Sequence, residues 1–287
     1  MTSTAGSTTP LARAVARAAV VTHGKPSRIG PALARLRTVA REAGVELLIS
    51  ADEAEKHALV EANGDVTEAD IAVVLGGDGT MLRALTRFLG TGVPVIGVNF
   101  GRVGFLSSIA RRELESGLTR VFAGEFDVVE LPTLDVEVGE ERRVAVNDAL
   151  VASAQLGRMV ELNWSIGGED LGNQPCDGIL CSTPSGSTAY NLSNGGPVLI
   201  WGIDAMAITF VAPHSLHARP FVVPRGRDVV VWNRTPDVPV AVLVDGHEIA
   251  EPPPGGRIVV RLGHERSLLA TLPEATFVRR YRQSFAS

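Results

Sequence analysis

The fold of the first half of this chain is decided by the stretch Ile71-Ala72-Val73-Val74-Leu75-Gly76-Gly77-Asp78-Gly79-Thr80. Its five apolar residues predict a strand, and the glycine run after them leads into a helix predicted over Met81–Leu89. Glycines allow positive φ and a close approach of the backbone to a ligand, so successive N–H groups can point at phosphate oxygens. Thr80 is expected to cap the helix, whose positive N-terminal end attracts an anion. The stretch therefore predicts a phosphate site between a strand and a helix.

Asp78 is the residue of this run that phosphate binding alone does not explain. A carboxylate repels phosphate, so we expect it to hold Mg²⁺ or to accept a proton from an attacking hydroxyl group. Arg83, one helical turn beyond Thr80, is a further candidate phosphate contact, although an exposed helix face explains it equally well. A strand-to-helix turn with an Asx-type cap is the plainer interpretation of a lone glycine-rich turn. A second motif has to decide between these alternatives.

The composition is that of a globular protein, and it argues against several classes of function. The chain has 287 residues, 45% hydrophobic and 21% charged, which is enough for two domains. A net charge of −5 argues against a nucleic-acid partner, because such proteins need clustered Lys and Arg. No apolar run approaches the ~20 residues that cross a bilayer, and there is no secretory signal pattern, so we expect no membrane partner and a cytoplasmic location. Cys176 and Cys181 are expected to be buried structural thiols.

Short apolar strands alternate with helices in residues 16–125 and predict an α/β domain whose parallel sheet is covered on both faces. The expected strands are Ala19–Thr22, Val45–Ile49, Ile71–Leu75 and Val93–Val98, and the expected helices are Pro31–Ala43, Met81–Leu89 and Glu113–Phe122. Ligands of such sheets bind beyond the carboxyl ends of the strands, where the glycine run lies. Residues 1–15 are expected to form a flexible tail. The carboxylates of Asp52–Glu55 are expected to form an exposed helix start.

Residues 126–272 carry β-rich patterns instead and predict an all-β, sandwich-like domain of two packed sheets. The expected strands are Val128–Val138, Arg143–Ala152, Met159–Ile166, Ile179–Ser182, Ala205–Val211, Asp228–Trp232, Val238–Val244 and Arg257–Leu262. Residues 273–287 are basic and amphipathic, and we expect them to pack back onto the first domain.

The second motif is a loop crowded with hydroxyl groups. Residues 182–190 read Ser-Thr-Pro-Ser-Gly-Ser-Thr-Ala-Tyr, with five hydroxyl side chains between Ser182 and Thr188. Pro184 and Gly186 shape the turn, and the hydroxyls suit a polar ligand that bears ribose and amide groups. Surface loops of β-proteins are also rich in Ser and Thr, so the loop alone does not identify a site.

The two motifs together resemble the signature of the NAD kinase family, in which a Gly-Gly-Asp-Gly loop and a Ser-Thr-Pro-Thr-Gly-Ser-Thr-Ala-Tyr loop meet across an interdomain cleft. The resemblance spans roughly residues 19–272. Further stretches that resemble family landmarks are, in order, Asn147-Asp148, Asp177-Gly178, Pro213–Leu216 with Arg219-Pro220, and Asp245-Gly246.

The resemblance implies phosphoryl transfer from ATP or inorganic polyphosphate to the 2′-hydroxyl of the adenosine ribose of NAD⁺, giving NADP⁺. It implies Mg²⁺, or another divalent cation, bound with the donor, and a homodimer or homotetramer. Asp78 is carried over as the proton acceptor, and no residue is assigned as a metal ligand. The phosphate contacts are expected to be Gly76, Gly77, Gly79, Thr80 and Arg83. The dinucleotide contacts are expected to be Asn147, Asp148, Arg158, Asp177, Thr188, Ala189, Tyr190, Asn191, Leu192, Ser193 and His247.

Departures from the family pattern leave the acceptor open. Pro175 stands two residues before the Asp-Gly pair, at a position that is often polar or basic and related to tolerance of NADH, so NAD⁺ and NADH both stay candidate acceptors. Ser185 replaces the commoner Thr without removing a hydroxyl group. His214 and His217 have no evident nucleophile beside them and are expected to be structural.

Two other functions share parts of this pattern. Diacylglycerol-type lipid kinases and phosphofructokinases also use a Gly-Gly-Asp-Gly loop, so the first motif alone indicates a broad class of kinases. The hydroxyl-rich loop favours the interpretation as an NAD kinase. The chain also has no membrane-directed amphipathic segment of the sort a lipid kinase needs. A dinucleotide sensor without turnover is the alternative from another class. Asp78, retained beside intact glycines, argues against that alternative.

Overall fold

A computed structural model describes residues 9–10, 14–24, 26–57, 62–101, 104–215 and 217–285. It divides the chain into two compact units, Met1–Glu130 with Ser267–Ser287, and Leu131–Arg266. Most of the predicted tail, and Leu216 in the family landmark, lie outside the described residues. Within the described ranges, no helix is both long and apolar enough to cross a membrane.

The first unit is built on a parallel sheet, as the alternation of strands and helices predicts. Its strands, in spatial order, are the end of Arg257–Thr271, then Val95–Asn99, Ile71–Gly76, Arg17–Thr22 and Glu46–Leu48, with Ile109–Ala110 paired to Val95–Asn99 and Thr9–Pro10 paired to the start of Asp127–Val138. Its helices are Pro26–Ala43, Ala51–His57, Asp78–Arg87, Leu114–Phe122 and Phe277–Phe285, with short 3₁₀ turns at Val66–Glu68 and Arg111–Glu113.

Helices cover both faces of this sheet. Ile96 packs in one buried cluster with Leu36 and Leu118, which come from two different helices. The next residue, Gly97, points to the other face, where an added Cβ would overlap Met81 of the helix after the glycine run. Because both faces are covered, the strands are almost wholly apolar, and every residue of Ile71–Gly76 is buried.

The exposed helix start predicted at Asp52–Glu55 is wrong for one residue. Glu53 lies on the helix Ala51–His57 and is 2% exposed. Its carboxylate accepts hydrogen bonds from Thr22 Oγ1 at 2.6 Å and from Lys56 Nζ at 2.7 Å. A buried carboxylate is tolerated because it is hydrogen-bonded and paired with a cation, and the local sequence does not reveal the contact with Thr22, 31 residues away.

The second unit is a two-sheet antiparallel structure. One sheet has the order Glu169–Cys176, Val160–Ile166, Val229–Asn233 and the start of Arg257–Thr271, with Asp127–Val138 and Glu141–Ala145 as a further antiparallel pair. The other has the order Phe221–Pro224, Ala205–Val211, Gly178–Ser182, Asp148–Ser153, Val240–Val244 and His247–Ala250. The two sheets share one apolar core, in which the rings of Trp164 and Phe210 meet edge to face at 5.3 Å.

Both cysteines lie in this core and are free thiols, as expected. Burial raises the pKa of Cys176 and of Cys181 to about 12, so neither is a reactive thiolate at neutral pH.

The strand predicted over Arg143–Ala152 is interrupted. The structure has one strand at Glu141–Ala145 and another at Asp148–Ser153. At the break, the N–H groups of Val146, Asn147 and Asp148 all donate to the carboxylate of Asp245, at 2.8, 2.8 and 3.0 Å. A residue almost one hundred positions away therefore turns the chain, and the local pattern does not show it.

Candidate active site

The glycines of the 76–79 run allow close packing at one position and leave the backbone open to a ligand at another. None of Gly76, Gly77 and Gly79 takes positive φ, so that expectation is wrong. A Cβ on Gly76 would lie 2.5 Å from Thr80 Cβ, which only glycine avoids. A Cβ on Gly77 would make ordinary contact with Gly101 Cα at 3.6 Å, and one on Gly79 would meet no protein atom within 4 Å. The backbone at Gly79 therefore borders open space.

Thr80 is not the helix cap, contrary to the prediction. The helix begins at Asp78, and Gly77 is its N-cap in an extended conformation with φ −105° and ψ −171°. The Gly77 carbonyl accepts from the N–H groups of Thr80 at 2.9 Å and Met81 at 3.0 Å. Because the helix starts two residues before Thr80, the Thr80 side chain is free to pack under Gly76, where it is 3% exposed.

A cavity of about 310 Å³ opens beside the run. Its lining consists of His23, Ile29, Gly76, Gly77, Gly79, Thr80, Arg83, Phe100 and Gly101, all within the first unit. Arg83 is exposed, as expected of an exposed helix face, and it also forms part of the cavity wall, while its contact with phosphate stays a prediction. A guanidinium group and a helix N-terminus on one wall favour an anion.

The carboxylate of Asp78 is held by the loop that follows a neighbouring strand. Its Oδ2 accepts from the N–H of Phe105 at 2.7 Å, and its Oδ1 accepts from the N–H of Leu106 at 3.2 Å. Burial has the largest effect and raises the pKa of Asp78, while the two N–H groups and the charge of Arg280 lower it. A carboxylate with a raised pKa, fixed in direction, is suited to accept a proton.

Asp245 organises the candidate dinucleotide residues of the second unit. It takes positive φ, 49°, and its carboxylate binds the three N–H groups of the turn that contains Asn147 and Asp148. Burial and the nearby charge of Asp245 raise the pKa of Asp148 to about 7. His247 Nδ1 lies 3.1 Å from the Asp245 carbonyl oxygen, and its ring is exposed.

The hydroxyl-rich loop packs on the same turn. Ser185 Oγ donates to Asn147 Oδ1 at 2.9 Å, and Thr183 Oγ1 donates to the Val146 carbonyl at 2.7 Å. Ser187 Oγ donates to the Pro184 carbonyl at 2.8 Å. These hydroxyls are buried and build the loop, so the expectation that they face a ligand is wrong for them. The hydroxyls of Thr183 and Ser187 satisfy backbone carbonyls that a buried loop would otherwise leave unpaired, and that of Ser185 satisfies the side chain of Asn147.

The loop offers a surface after these buried hydroxyls. Thr188 and Leu192 are partly exposed, Ala189 and Ser193 are exposed, and Tyr190 is 44% exposed. Asn191 differs from them, because it has no exposed surface and its side chain bonds Ser187 O, Pro197 O and Thr209 Oγ1. In this position Asn191 supports the loop rather than facing a ligand.

The candidate dinucleotide residues of the second unit fall into two groups. Asp148 is opposite Ser182 in the sheet, so the turn, the hydroxyl-rich loop and His247 lie at one edge. Asp177 precedes the other end of the Gly178–Ser182 strand and is five residues, or about 17 Å, from Ser182. Arg158 follows the far end of the Asp148–Ser153 strand and pairs with Asp237 at 3.4 Å. The structure therefore does not bring Asp177 and Arg158 to Asp148.

Two family matches cover most of the chain. Residues 38–126 match the ATP-NAD kinase N-terminal domain, and residues 146–272 match the ATP-NAD kinase C-terminal domain. The chain belongs to the NAD kinase family. The sequence resemblance is thereby confirmed, and the protein is a phosphotransferase.

Relatives of this NAD kinase family member match along most of their length. It is 38% identical over 224 residues to the NAD kinase of Gemmatimonas aurantiaca, covering 75% of this chain and 77% of that protein. It is 36% identical over 277 residues to NAD kinase 2 of Streptomyces coelicolor, covering 92% and 91%.

Solved structures with the same fold include two kinases at low sequence identity. Yeast NADH kinase complexed with NADH has a TM-score of 0.83 at 22% identity, covering 96% of this chain and 88% of that one. An NAD kinase from Archaeoglobus fulgidus in complex with ATP has a TM-score of 0.74 at 24% identity, covering 94% and 97%. The predicted α/β domain followed by a β-rich domain is confirmed.

The site of this kinase includes a segment that sequence reasoning missed. The strand Val95–Asn99 lies beside Ile71–Gly76 in the sheet, and the chain after it supplies Gly101 to the cavity and two N–H groups to Asp78. The Phe100 N–H donates to the Gly76 carbonyl at 2.8 Å. The sequence does contain a signal for this segment, namely Gly101 and Gly104 directly after a predicted strand. The carboxyl ends of adjacent parallel strands lie at one edge of the sheet, so this segment is expected near the glycine run.

Proposed function

We propose that this NAD kinase family member transfers the terminal phosphoryl group of ATP or inorganic polyphosphate to the 2′-hydroxyl of the adenosine ribose of NAD⁺, forming NADP⁺. The observation that carries the proposal is the carboxylate of Asp78, held by two N–H groups next to a cavity walled by glycine backbone. The ATP and NADH complexes of the two structural neighbours support both substrate classes. A cytoplasmic location and a homodimer or homotetramer are part of the same proposal.

The donor phosphates are assigned to the cavity of the first unit. The open space at Gly79 lets phosphate oxygens approach the backbone, because no side chain stands there. The N-terminal end of the Asp78–Arg87 helix and the guanidinium of Arg83 offset the phosphate charge. We expect the donor to bind through its phosphates, which ATP and polyphosphate share.

Asp78 is assigned as the proton acceptor. As the ribose oxygen attacks phosphorus, its O–H bond breaks toward the carboxylate, the new O–P bond forms, and the bond to the leaving phosphate breaks. ADP leaves when ATP is the donor, and a shortened chain leaves when polyphosphate is. The N–H groups of Phe105 and Leu106 fix the carboxylate, so alignment is ready before the reaction.

The dinucleotide is assigned to the edge of the second unit that carries Asn147, Asp148 and His247. Partly ionised Asp148 can accept hydrogen bonds from ribose hydroxyls. The exposed ring of Tyr190 provides a flat face on which a base or nicotinamide ring can stack. Contacts by Arg158 and Asp177, at the other end of the sheet, remain predictions.

Mg²⁺ is expected to enter with the donor. In the part of the chain that the structure describes, no three His, Cys, Asp or Glu side chains are grouped so as to hold a metal. The residues present thus fit an ion carried by phosphate oxygens, and when bound it supplies charge neutralisation during phosphoryl transfer.

A matrix of substrates tests the proposal. The purified protein is incubated with NAD⁺ or NADH and with ATP or polyphosphate, with and without Mg²⁺, and NADP(H) is measured by a coupled dehydrogenase. We expect product with at least one donor, and only with the divalent cation. Tight NAD⁺ binding without product under every donor would instead support a dinucleotide sensor.

A further inference from the structure

Arg280 is a buried arginine on the Phe277–Phe285 helix, far in sequence from the glycine run. Arg280 is 4% exposed. Its Nε donates to the Ala275 carbonyl at 2.9 Å, Nη1 donates to the carbonyls of Phe105 at 2.8 Å and Ser107 at 2.7 Å, and Nη2 donates to Ser108 Oγ at 2.7 Å. Burying a guanidinium is costly, so such a position is kept only where its donors are used.

The acceptors of Arg280 belong to the segment that holds Asp78. Phe105 is bonded on both sides, because its N–H donates to Asp78 Oδ2 at 2.7 Å and its carbonyl accepts from Arg280 at 2.8 Å. The ring of Phe105 also packs on two rings of the C-terminal helix, Phe277 at 5.1 Å and Phe285 at 6.1 Å. The direction of the peptide N–H groups that grip Asp78 therefore depends on this helix.

The positive charge of Arg280 acts on Asp78 in addition to the hydrogen bonds. Burial lowers the pKa of Arg280 to about 10, so the guanidinium stays positively charged at neutral pH. Its field favours the ionised form of Asp78, which burial disfavours. Among the described residues, further basic side chains of this part of the unit are His23 and Arg83, on the wall of the neighbouring cavity, and Arg111, whose guanidinium lies 5.2 Å from the centre of the Phe100 ring.

We propose that Arg280 is a positioning residue for phosphoryl transfer: its hydrogen bonds hold residues 105–108 in place, as a clamp, and so fix the direction of the Asp78 carboxylate. This inference rests on the proposed function, in which Asp78 accepts the proton. It assigns to the C-terminal helix a role in turnover in addition to its packing.

The test compares Arg280→Met with Arg279→Met. Arg279 is an exposed neighbour on the same helix whose guanidinium donates to the Glu274 carbonyl at 3.3 Å, so the control removes an equal charge without touching the clamp. We expect Arg280→Met to lower kcat about 10- to 100-fold, since a small misplacement of a reacting group costs up to about 100-fold. The KM values for NAD⁺ and ATP should stay within about threefold, because Arg280 lines neither binding surface. Arg279→Met should keep kcat within about twofold.

A pH profile separates positioning from general loss of structure. Without the Arg280 charge, the pKa of Asp78 rises, so the acidic limb of kcat/KM should move to higher pH in Arg280→Met. His23 and Arg83 are unchanged in every variant and contribute equally to each profile. Arg280→Lys keeps the charge and should restore the limb, while it recovers only part of kcat because an ammonium lacks the planar fork.

Folding is monitored by circular dichroism and Tm for every variant. If Arg280→Met does not fold, Arg280→Lys and Ser108→Ala carry the test, since each removes part of the clamp, and a lowered kcat at unchanged KM is expected for both. Wild-type kcat in the folded clamp variants, or an unmoved acidic limb in folded Arg280→Met, would overturn the role of Arg280. Failure of the proposed function is a separate result: the wild type would make no NADP⁺, or Asp78→Asn would turn over normally.

Discussion

Asp148→Asn should stabilise the protein at neutral and alkaline pH, although it removes a charged residue from the candidate dinucleotide surface. Burial and the charge of Asp245 raise the pKa of Asp148 from 3.8 to about 7 in the folded state. Between these values the folded protein holds a proton that the unfolded chain has released. Stability from this group therefore falls as pH rises to about 7, and the loss is complete above it.

The magnitude follows from the shift. About three pKa units at 1.36 kcal/mol each give at most about 4 kcal/mol, and partial exposure of Asp148 reduces this by roughly half. Two of the three pKa units of this shift lie between pH 5 and pH 7. The stability gained by Asp148→Asn should thus be larger at pH 8 than at pH 5 by about 1.4–2.7 kcal/mol, because Asn resembles the neutral carboxyl at every pH.

Urea unfolding of wild type and Asp148→Asn at pH 5 and pH 8 measures this difference. Glu140→Gln removes an exposed carboxylate from the same unit and serves as the control, for which we expect a pH-independent effect within about 0.5 kcal/mol. A gain for Asp148→Asn that is equal at both pH values, or larger at pH 5, would refute the reasoning.

Three further predictions concern the reaction. Asp78→Asn should lower kcat by at least about 10²–10⁴-fold while NAD⁺ affinity changes less than about tenfold, and a wild-type turnover rate would contradict the assignment of the base. Gly79→Val should abolish ATP binding in calorimetry and leave Tm near wild type, because a Cβ there meets no protein atom within 4 Å. Gly76→Ala should instead lower Tm, because its Cβ would lie 2.5 Å from Thr80. Unchanged ATP affinity in Gly79→Val would argue against phosphate binding at the glycine run. NAD⁺ lacking the adenosine 2′-hydroxyl should bind without being phosphorylated, and any phosphorylated product detected by mass spectrometry would show that the regiochemistry is wrong.

Local patterns in the sequence determined the two kinds of domain and the two loops. A buried parallel strand such as Ile71–Gly76 needs continuous apolar residues, and a half-buried antiparallel strand needs alternation, so both can be recognised within a few residues. The glycine run and the hydroxyl-rich loop are also contiguous. Their order along the chain was sufficient to indicate the family.

The tertiary structure alone decided which polar side chains are buried against the protein and which stay exposed. Asn191 and the hydroxyl groups of Thr183, Ser185 and Ser187 look like binding groups in sequence, yet their partners are atoms of the protein itself. The same applies to Glu53, which is buried because Thr22 and Lys56 satisfy it. A polar residue shows its chemistry in sequence, whereas its exposure depends on which partners the fold provides.

The contacts that set the geometry of the site join residues far apart in the chain. Asp245 shapes the turn at Asn147 from 98 residues away, and Arg280 holds the carbonyl of Phe105 from 175 residues away. Neither pairing follows from propensity or periodicity, which describe neighbours within a helix or strand. The sequence by itself thus determined the elements and the chemical groups of this protein, and only folding decided their partners, because hydrogen bonds and burial depend on distances in space that local sequence does not record.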